Sequence, residues 1–418
     1  RAGEPNRSVK TLLAAVARAE AAASDEVKAR AAIARLRVLG KTLGRFDEAH
    51  QWETLAGAAV ARLGDDERLE AEHLHQLGQV YESEGRYPEA QVHLLRALTI
   101  RRRLAVPAPE LAASLGEYGV TLFRLGQYPE ARRIFEEALA LQRKTIGPQH
   151  PDVAGSLNRI GTTFYAQGRY EEAISLLRQG LALREAALGP VHRLVADSLV
   201  NLGNTLDRMG RYDEAIASYR RAHDIQLRVF GPVHPDLAIS LDNTGAVYAS
   251  QRMWKEAESF HRRALEMRLK TVGRENPRTA LTLHNIGNVY NLQGKYKEAL
   301  PFLLEALAIQ ERTLGADHPA VAEEMTVVAD IERRLGRKQA ALDRLERALR
   351  IVESQELEPG ITARTRFALA EALWETGGNR ERAVRLARLA RADLAPFADV
   401  EKPLLADIDG WLAAIEKR

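Results

Sequence analysis

One unit recurs along this chain with almost no change in length. Six segments read Gly-x-aromatic-x-Glu-Ala, closing at Ala49, Ala90, Ala131, Ala173, Ala215 and Ala299. Degenerate copies (RMWKEA, GRKQAA and GNRERA) close at Ala257, Ala341 and Ala383, so the alanines are separated by 41, 41 and then repeatedly 42 residues. A period of this length through most of a chain marks a stack of one supersecondary unit, which buries its apolar face only against its neighbours.

The flanks of each copy say what the unit is. Twelve residues before the alanine stands a small residue: Gly78, Gly119, Gly161, Gly203, Gly245, Gly287 or Ala329. Seven residues after it stands another: Ala97, Ala138, Gly180, Ala222, Ala264, Ala306 or Ala348. Small residues at fixed offsets let two helices approach closely. Between them, apolar residues recur at three- and four-residue spacing, as in EAISLLRQGLAL, the period of an amphipathic helix. The turn glycine ends the first helix of the pair, and the aromatic after it plugs the gap between the two.

The other connection repeats as well, as LGPVHRLVA, FGPVHPDLA, VGRENPRTA and LGADHPAVA. Its glycine falls where the second helix should stop. Pro151, Pro235, Pro277 and Pro319 suit the first turn of the next helix, where no N–H is required. The sequence therefore predicts an all-α, right-handed superhelical solenoid of about nine helix-turn-helix repeats. Helix A of the fifth repeat is expected near 192–209 and its helix B near 212–229. The predicted organisation is an N-terminal capping helix over 1–24, one cooperative array over 25–395 and a C-terminal capping helix over 396–418.

Composition agrees and excludes several chemistries. Aromatics are only 6 % of the chain, and Ala, Leu, Arg and Glu dominate, which favours helix over strand. With no cysteine, disulfides, thiolate metal sites and cysteine nucleophiles are ruled out. A net charge of +3 gives no bulk field that recruits nucleic acid or anionic membrane. No apolar run is long enough to insert in a membrane. The opening RAGEPNRSVK has neither Met nor a signal-peptide core and reads as a piece of a longer protein. The excess of Arg over Lys points to a GC-rich bacterial source.

The pattern N-L-G…Y…G-x-Y-x-E-A…A-L, seen in NLGNTLDRMGRYDEAIASYRRA, resembles the tetratricopeptide repeat family. The 42-residue length, the LGxxHPxxA connection and Pro301 in EALPFLLEAL are similar to the repeats of kinesin light chains and of bacterial signalling proteins. The resemblance implies a fold far more specifically than a function. It implies a scaffold for protein–protein interaction, in which helix A builds the concave, ligand-facing wall. On that wall it places Asn158, Thr162, Tyr165, Asn201, Asn204, Asp207, Arg208, Asp242, Asn243, His284, Asn285, Asn288 and Asn291. Asparagine is a poor helix former, so its accumulation on successive helices asks for a reason. An amide offers both an acceptor and donors, and a ladder of amides matches the backbone of an extended peptide. The competing use is structural, with Asn201, Asn243 and Asn285 bridging adjacent repeats. Family members that bind chaperone tails clamp the terminal carboxylate with Lys or Arg on helix A. The matching positions here, such as His75, Gln79, Val200, Asn204 and Ala246, hold neither, which argues against that partner.

Two signals look catalytic and have simpler explanations. LGKT at Leu39–Thr42 suggests a phosphate loop, but the glycine such a loop requires four residues earlier is Arg35. Asp47-Glu48-Ala49-His50 occupies the slot filled elsewhere by YPEA, YEEA and YDEA. His150, His192, His234 and His318, with Asn276 in the missing place, recur at the repeat spacing. Stacked helices put such positions about 10 Å apart, whereas zinc needs each ligand within about 2.3 Å. Capping or packing is their expected role. The four tryptophans are expected in cores or caps.

The expectation is thus a non-catalytic protein- or peptide-binding scaffold without cofactor or metal, binding no nucleic acid, cytoplasmic with the periplasm left open, and a monomer or weak dimer. The alternative is a regulatory or sensor module of a larger signalling enzyme, a kinase, NTPase or protease, whose catalytic domain lies outside this chain and is itself the partner.

Overall fold

The computed structural model describes residues 3–64, 66–355, 359–397 and 401–416. Among these residues the chain forms twenty α-helices and no strand. It divides into two compact units, Arg1–Thr205 and Leu206–Arg418.

The first unit begins with α1 (Gly3–Ala21), followed by the pair α2 (Asp25–Arg37) and α3 (Phe46–Arg62). Then come the pairs α4 (Glu67–Glu84) and α5 (Tyr87–Arg103), α6 (Ala108–Arg124) and α7 (Tyr128–Thr145), and α8 (Pro151–Ala166) and α9 (Tyr170–Leu188). The next helix is α10 (Arg193–Arg208). In the second unit, α11 (Tyr212–Phe230) precedes the pairs α12 (Pro235–Ser250) and α13 (Trp254–Thr271), and α14 (Pro277–Leu292) and α15 (Tyr296–Leu314). The last pairs are α16 (Pro319–Arg334) and α17 (Lys338–Glu353), and α18 (Pro359–Glu375) and α19 (Arg380–Leu394), before α20 (Lys402–Glu416).

The repeated small residues sit where paired helices cross. A Cβ on Gly119 of α6 would lie 2.5 Å from the ring of Phe135 on α7, so only glycine admits that ring. In the tight turn, Gly168 takes φ 73°, a left-handed value natural to glycine. The degenerate sixth copy has Arg252 at this turn, still left-handed at φ 61°. The repeat geometry is thus kept against the steric cost of a side chain there. Tyr128 and Tyr170, after the turn, pack beside Phe123 and Tyr165 at ring distances of 5.3 and 5.7 Å.

The other connection is capped by its histidines. The Nδ1 atoms of His150, His192, His234 and His318 accept from backbone N–H groups two residues on, at 3.1–3.2 Å. Asn276 does the same with its side-chain oxygen at 2.9 Å. Each therefore satisfies a donor that the start of a helix leaves open. Proline follows at the first helical position of α8, α12, α14 and α16. At the C-terminal end, Trp374 and Trp411 meet edge to face at 5.7 Å, so α20 packs against the last pair.

Candidate binding surface

Polar residues collect on the A helices for two distinct purposes. The first is a seam between successive repeats. The Asn158 amide of α8 donates to the Ser198 hydroxyl of α10 at 2.9 Å. In the second unit, Thr282 of α14 donates to Asp242 of α12 at 2.6 Å. His284 of α14 meets the buried Glu324 of α16 at 2.8 Å, and the hydroxyls of Thr326 and Thr365 lie 3.2 Å apart. Asp242 also holds His261 and Arg268 of α13, each at 2.9 Å. Burial pushes the His284 pKa down, but the hydrogen bond and charge of Glu324, with Glu323 nearby, outweigh it and leave the pKa raised.

The second purpose is a surface. Of the residues expected to face a ligand, Asn158 and Asp242 are buried and engaged in the seam. Thr162 and Tyr165 on α8, and Asn201 and Asn204 on α10, are half-buried. Asp207 is half-buried and Arg208 exposed at the end of α10; burial raises the Asp207 carboxyl, against the pull of Arg208. In the second unit Asn243 is half-buried on α12, as are His284, Asn285, Asn288 and Asn291 on α14. Among the described residues, no internal hydrogen bond holds the amides of Asn201, Asn285, Asn288 and Asn291.

The first unit brings Asn158, Thr162 and Asn201 together around a cavity of about 480 Å³. Gln142, Arg159, Arg184 and Asp197, which the sequence reading did not single out, line the same cavity. Arg184 reaches it from α9, and its Nη1 donates to the Leu194 carbonyl at 2.8 Å and the Ser198 hydroxyl at 2.7 Å. Burial pushes the Arg184 guanidinium below its ordinary pKa; Asp197 opposes this shift and Arg159 adds to it. The signal available in the sequence was the period: in six consecutive repeats the position eleven after the alanine reads Arg101, Gln142, Arg184, Gln226, Arg268 and Gln310.

The enzyme-like residues have structural partners. Leu39, Gly40 and Lys41 lie in a single π-helical turn, Val38–Thr42, and a Cβ on Gly40 would lie 2.6 Å from Val80. Arg35 is buried, bonds the Val9 carbonyl and stacks 4.5 Å from the Trp52 ring centre. His50 bridges Glu53 at 3.1 Å and Glu84 at 2.9 Å. Burial lowers its pKa, but these two carboxylates raise it more. His75, half-buried beside Gln79, has its pKa pushed down to about 3 by burial and by Arg101 and Lys41. Among the described residues, no group of three or more acidic, histidine or cysteine side chains is placed to hold a metal ion. No described helix is long and apolar enough to cross a membrane.

Comparison with known proteins agrees with this architecture. No curated protein matches the sequence. Among solved structures, the apo form of the quorum sensor NprR from B. thuringiensis aligns with a TM-score of 0.59 at 14 % identity, over 83 % of this chain and 98 % of that one. The apo form of RapI aligns with a TM-score of 0.51 at 14 % identity, over 68 % of this chain and 98 % of that one. A putative kinesin light chain from Podosopora anserina with nearly identical TPR-like repeats is 25 % identical, with a TM-score of 0.43, over 50 % of this chain and 98 % of that one. Tetratricopeptide repeat models match residues 71–108, 110–186, 158–226, 194–270 and 278–354. With more than half of its residues matched by tetratricopeptide repeat models, the chain belongs to the tetratricopeptide repeat family.

Proposed function

We propose that this chain is a non-catalytic scaffold whose A-helix faces hold an extended segment of a protein partner. The observation that carries this reading is the half-buried amides, Asn201 in the first unit and Asn285, Asn288 and Asn291 in the second, none engaged by an internal hydrogen bond among the described residues. A half-buried amide has lost part of its water, and a peptide backbone offers a donor and an acceptor at regular intervals to replace it. Recognition through the backbone tolerates many ligand sequences and depends only modestly on salt.

A pull-down with this chain, read by mass spectrometry, supplies the partner, and titration of that partner supplies the test. Leaving a buried group unpaired costs about 1–3 kcal/mol. Replacing Asn201 and Asn288 together by Ala is therefore expected to weaken binding by roughly tenfold to a few hundredfold if the effects add. The melting temperature should hardly move. Normal binding by the double variant refutes the reading. Loss of folding would show that these amides are structural.

A further inference from the structure

The residue eleven after the repeat alanine lies on helix B, and in three repeats it is a buried arginine. The three guanidiniums are not neutralised alike. Arg101 has the Glu110 carboxylate 3.5 Å away. Arg268 has Asp242 at 2.9 Å. For Arg184, the position equivalent to Glu110 holds Leu194 and the position equivalent to Asp242 holds Asn158. Its Nη1 donates only to neutral groups, the Leu194 carbonyl and the Ser198 hydroxyl. Among the described residues no carboxylate lies within ion-pair distance of it, and Asp197 acts on it only through space. The Nε atoms of Arg184 and Arg268 both lack an acceptor; Arg184 makes two hydrogen bonds to neutral groups where Arg268 makes one to a carboxylate, so the sites differ in the charge that faces the guanidinium.

A cation only 9 % exposed and without a counter-ion is costly. Arg184 also differs from a sealed charge in that it lines the 480 Å³ cavity between α6, α8 and α10. A second guanidinium, Arg159, lines the same cavity from α8 and likewise has no carboxylate within ion-pair distance among the described residues. Of the two aspartates at this cavity, Asp197 lies 4.0 Å from Arg193, and Asp152 lies in the first turn of α8.

We infer that this cavity receives a carboxylate of the bound segment, which supplies Arg184 with the counter-ion that Glu110 gives Arg101 and Asp242 gives Arg268. The inference rests on the peptide-binding reading above and narrows it to segments that present an acidic side chain or a free C-terminus at this point. The site is unlike a clamp built on helix A, because its buried cation comes from helix B.

The test uses fluorescein-labelled peptide pools of about nine residues, otherwise filled with uncharged amino acids. One pool carries a central Glu and an amidated end, one a central Gln and an amidated end, and one a central Gln and a free C-terminal acid. Anisotropy titration of the whole chain should show one carboxylate pool binding about ten- to hundredfold more tightly than the amidated Gln pool, as a charge-assisted bond in a partly desolvated site provides. Which carboxylate pool is preferred identifies the source of the charge. Arg184→Gln should bring that ratio to about one. Asn158→Asp places an internal carboxylate where Asp242 has one, and should abolish the preference while raising the melting temperature, which keeps the test valid if Arg184→Gln does not fold. A ratio near one for the unaltered chain, or a ratio that survives in Asn158→Asp, overturns the inference while leaving peptide binding intact. If no pool binds at all, the peptide-binding reading fails and this one falls with it.

Discussion

The seam step at Arg184 in the first unit and the step at Arg268 in the second are the same place in the repeat, and they differ at three seam positions: Asn158 stands for Asp242, Leu177 for His261 and Ser198 for Thr282. Around Arg268 the partner on the preceding A helix is Asp242, which also takes His261 and Thr282, so the charge is closed inside the protein. Around Arg184 the equivalent position holds Asn158, isosteric but neutral, whose amide is turned to Ser198 rather than to the guanidinium. Repetition fixes where a side chain goes; the residue at that place decides whether the step is finished internally or left to be completed from outside.

The strongest way to break this comparison is to make the second step like the first. Asp242→Asn leaves Arg268 buried without its counter-ion, and removing one partner of a buried pair typically costs about 3–5 kcal/mol. Hydrogen exchange should show the loss concentrated in α12 to α14, since an array need not unfold as one block. A cost below about 1 kcal/mol would mean that the carboxylate is not what neutralises this step.

Where the two units are built alike they should respond alike. His150 caps α8 in the first unit and His234 caps α12 in the second, each through Nδ1 at 3.2 Å. Replacing either by Ala should cost about 1 kcal/mol. Replacing either by Asn should cost almost nothing, because Asn276 already serves as such a cap. Thermal melts of the four variants check this, and unequal costs for His150→Ala and His234→Ala would show that the units differ in more than the seam.

The smallest effect separates the units by pH. The first-unit step from Asn158 to Ser198 has no titrating member, whereas His284 in the second unit bonds Glu324 and its pKa is raised. A raised histidine contributes its stability fully below its unfolded value of about 6.5 and loses it as pH climbs through the folded value. His284→Gln should thus cost about 1 kcal/mol in mildly acidic solution and progressively less towards alkaline pH. Urea titrations at several pH values check the sign; a cost that grew with pH would contradict it.

Most of the architecture could be read from the sequence because its signals are local. A cap such as His234-Pro235 and a turn such as Gly168-Arg169-Tyr170 each act within a few residues, and the period repeats them. The seam was hidden because its partners are distant: Asp242 meets Arg268 26 residues on and Thr282 40 residues on. Nothing local in the sequence separates Asn158 and Asp242 from the ligand-facing residues, because wall and seam lie side by side on helix A, one or two positions apart. A helix turns about 100° per residue, so that small offset separates a half-buried amide from a buried one. Arg184 is not legible as part of a surface from a pattern that places the ligand wall on helix A, because its charge arrives from helix B.

The seam also gives the repeats an order. Each step has its own vocabulary: amide with hydroxyl at Asn158 and Ser198, carboxylate with hydroxyl at Asp242 and Thr282, imidazole with carboxylate at His284 and Glu324. Units that share one backbone plan are therefore not interchangeable words. Excising the repeat from Pro277 to His318 would leave every turn and cap in register, yet it would set the Glu324 position against Asp242, two buried acids face to face. A chain that looks like one phrase copied nine times is, at its buried joints, a sentence that parses in only one order.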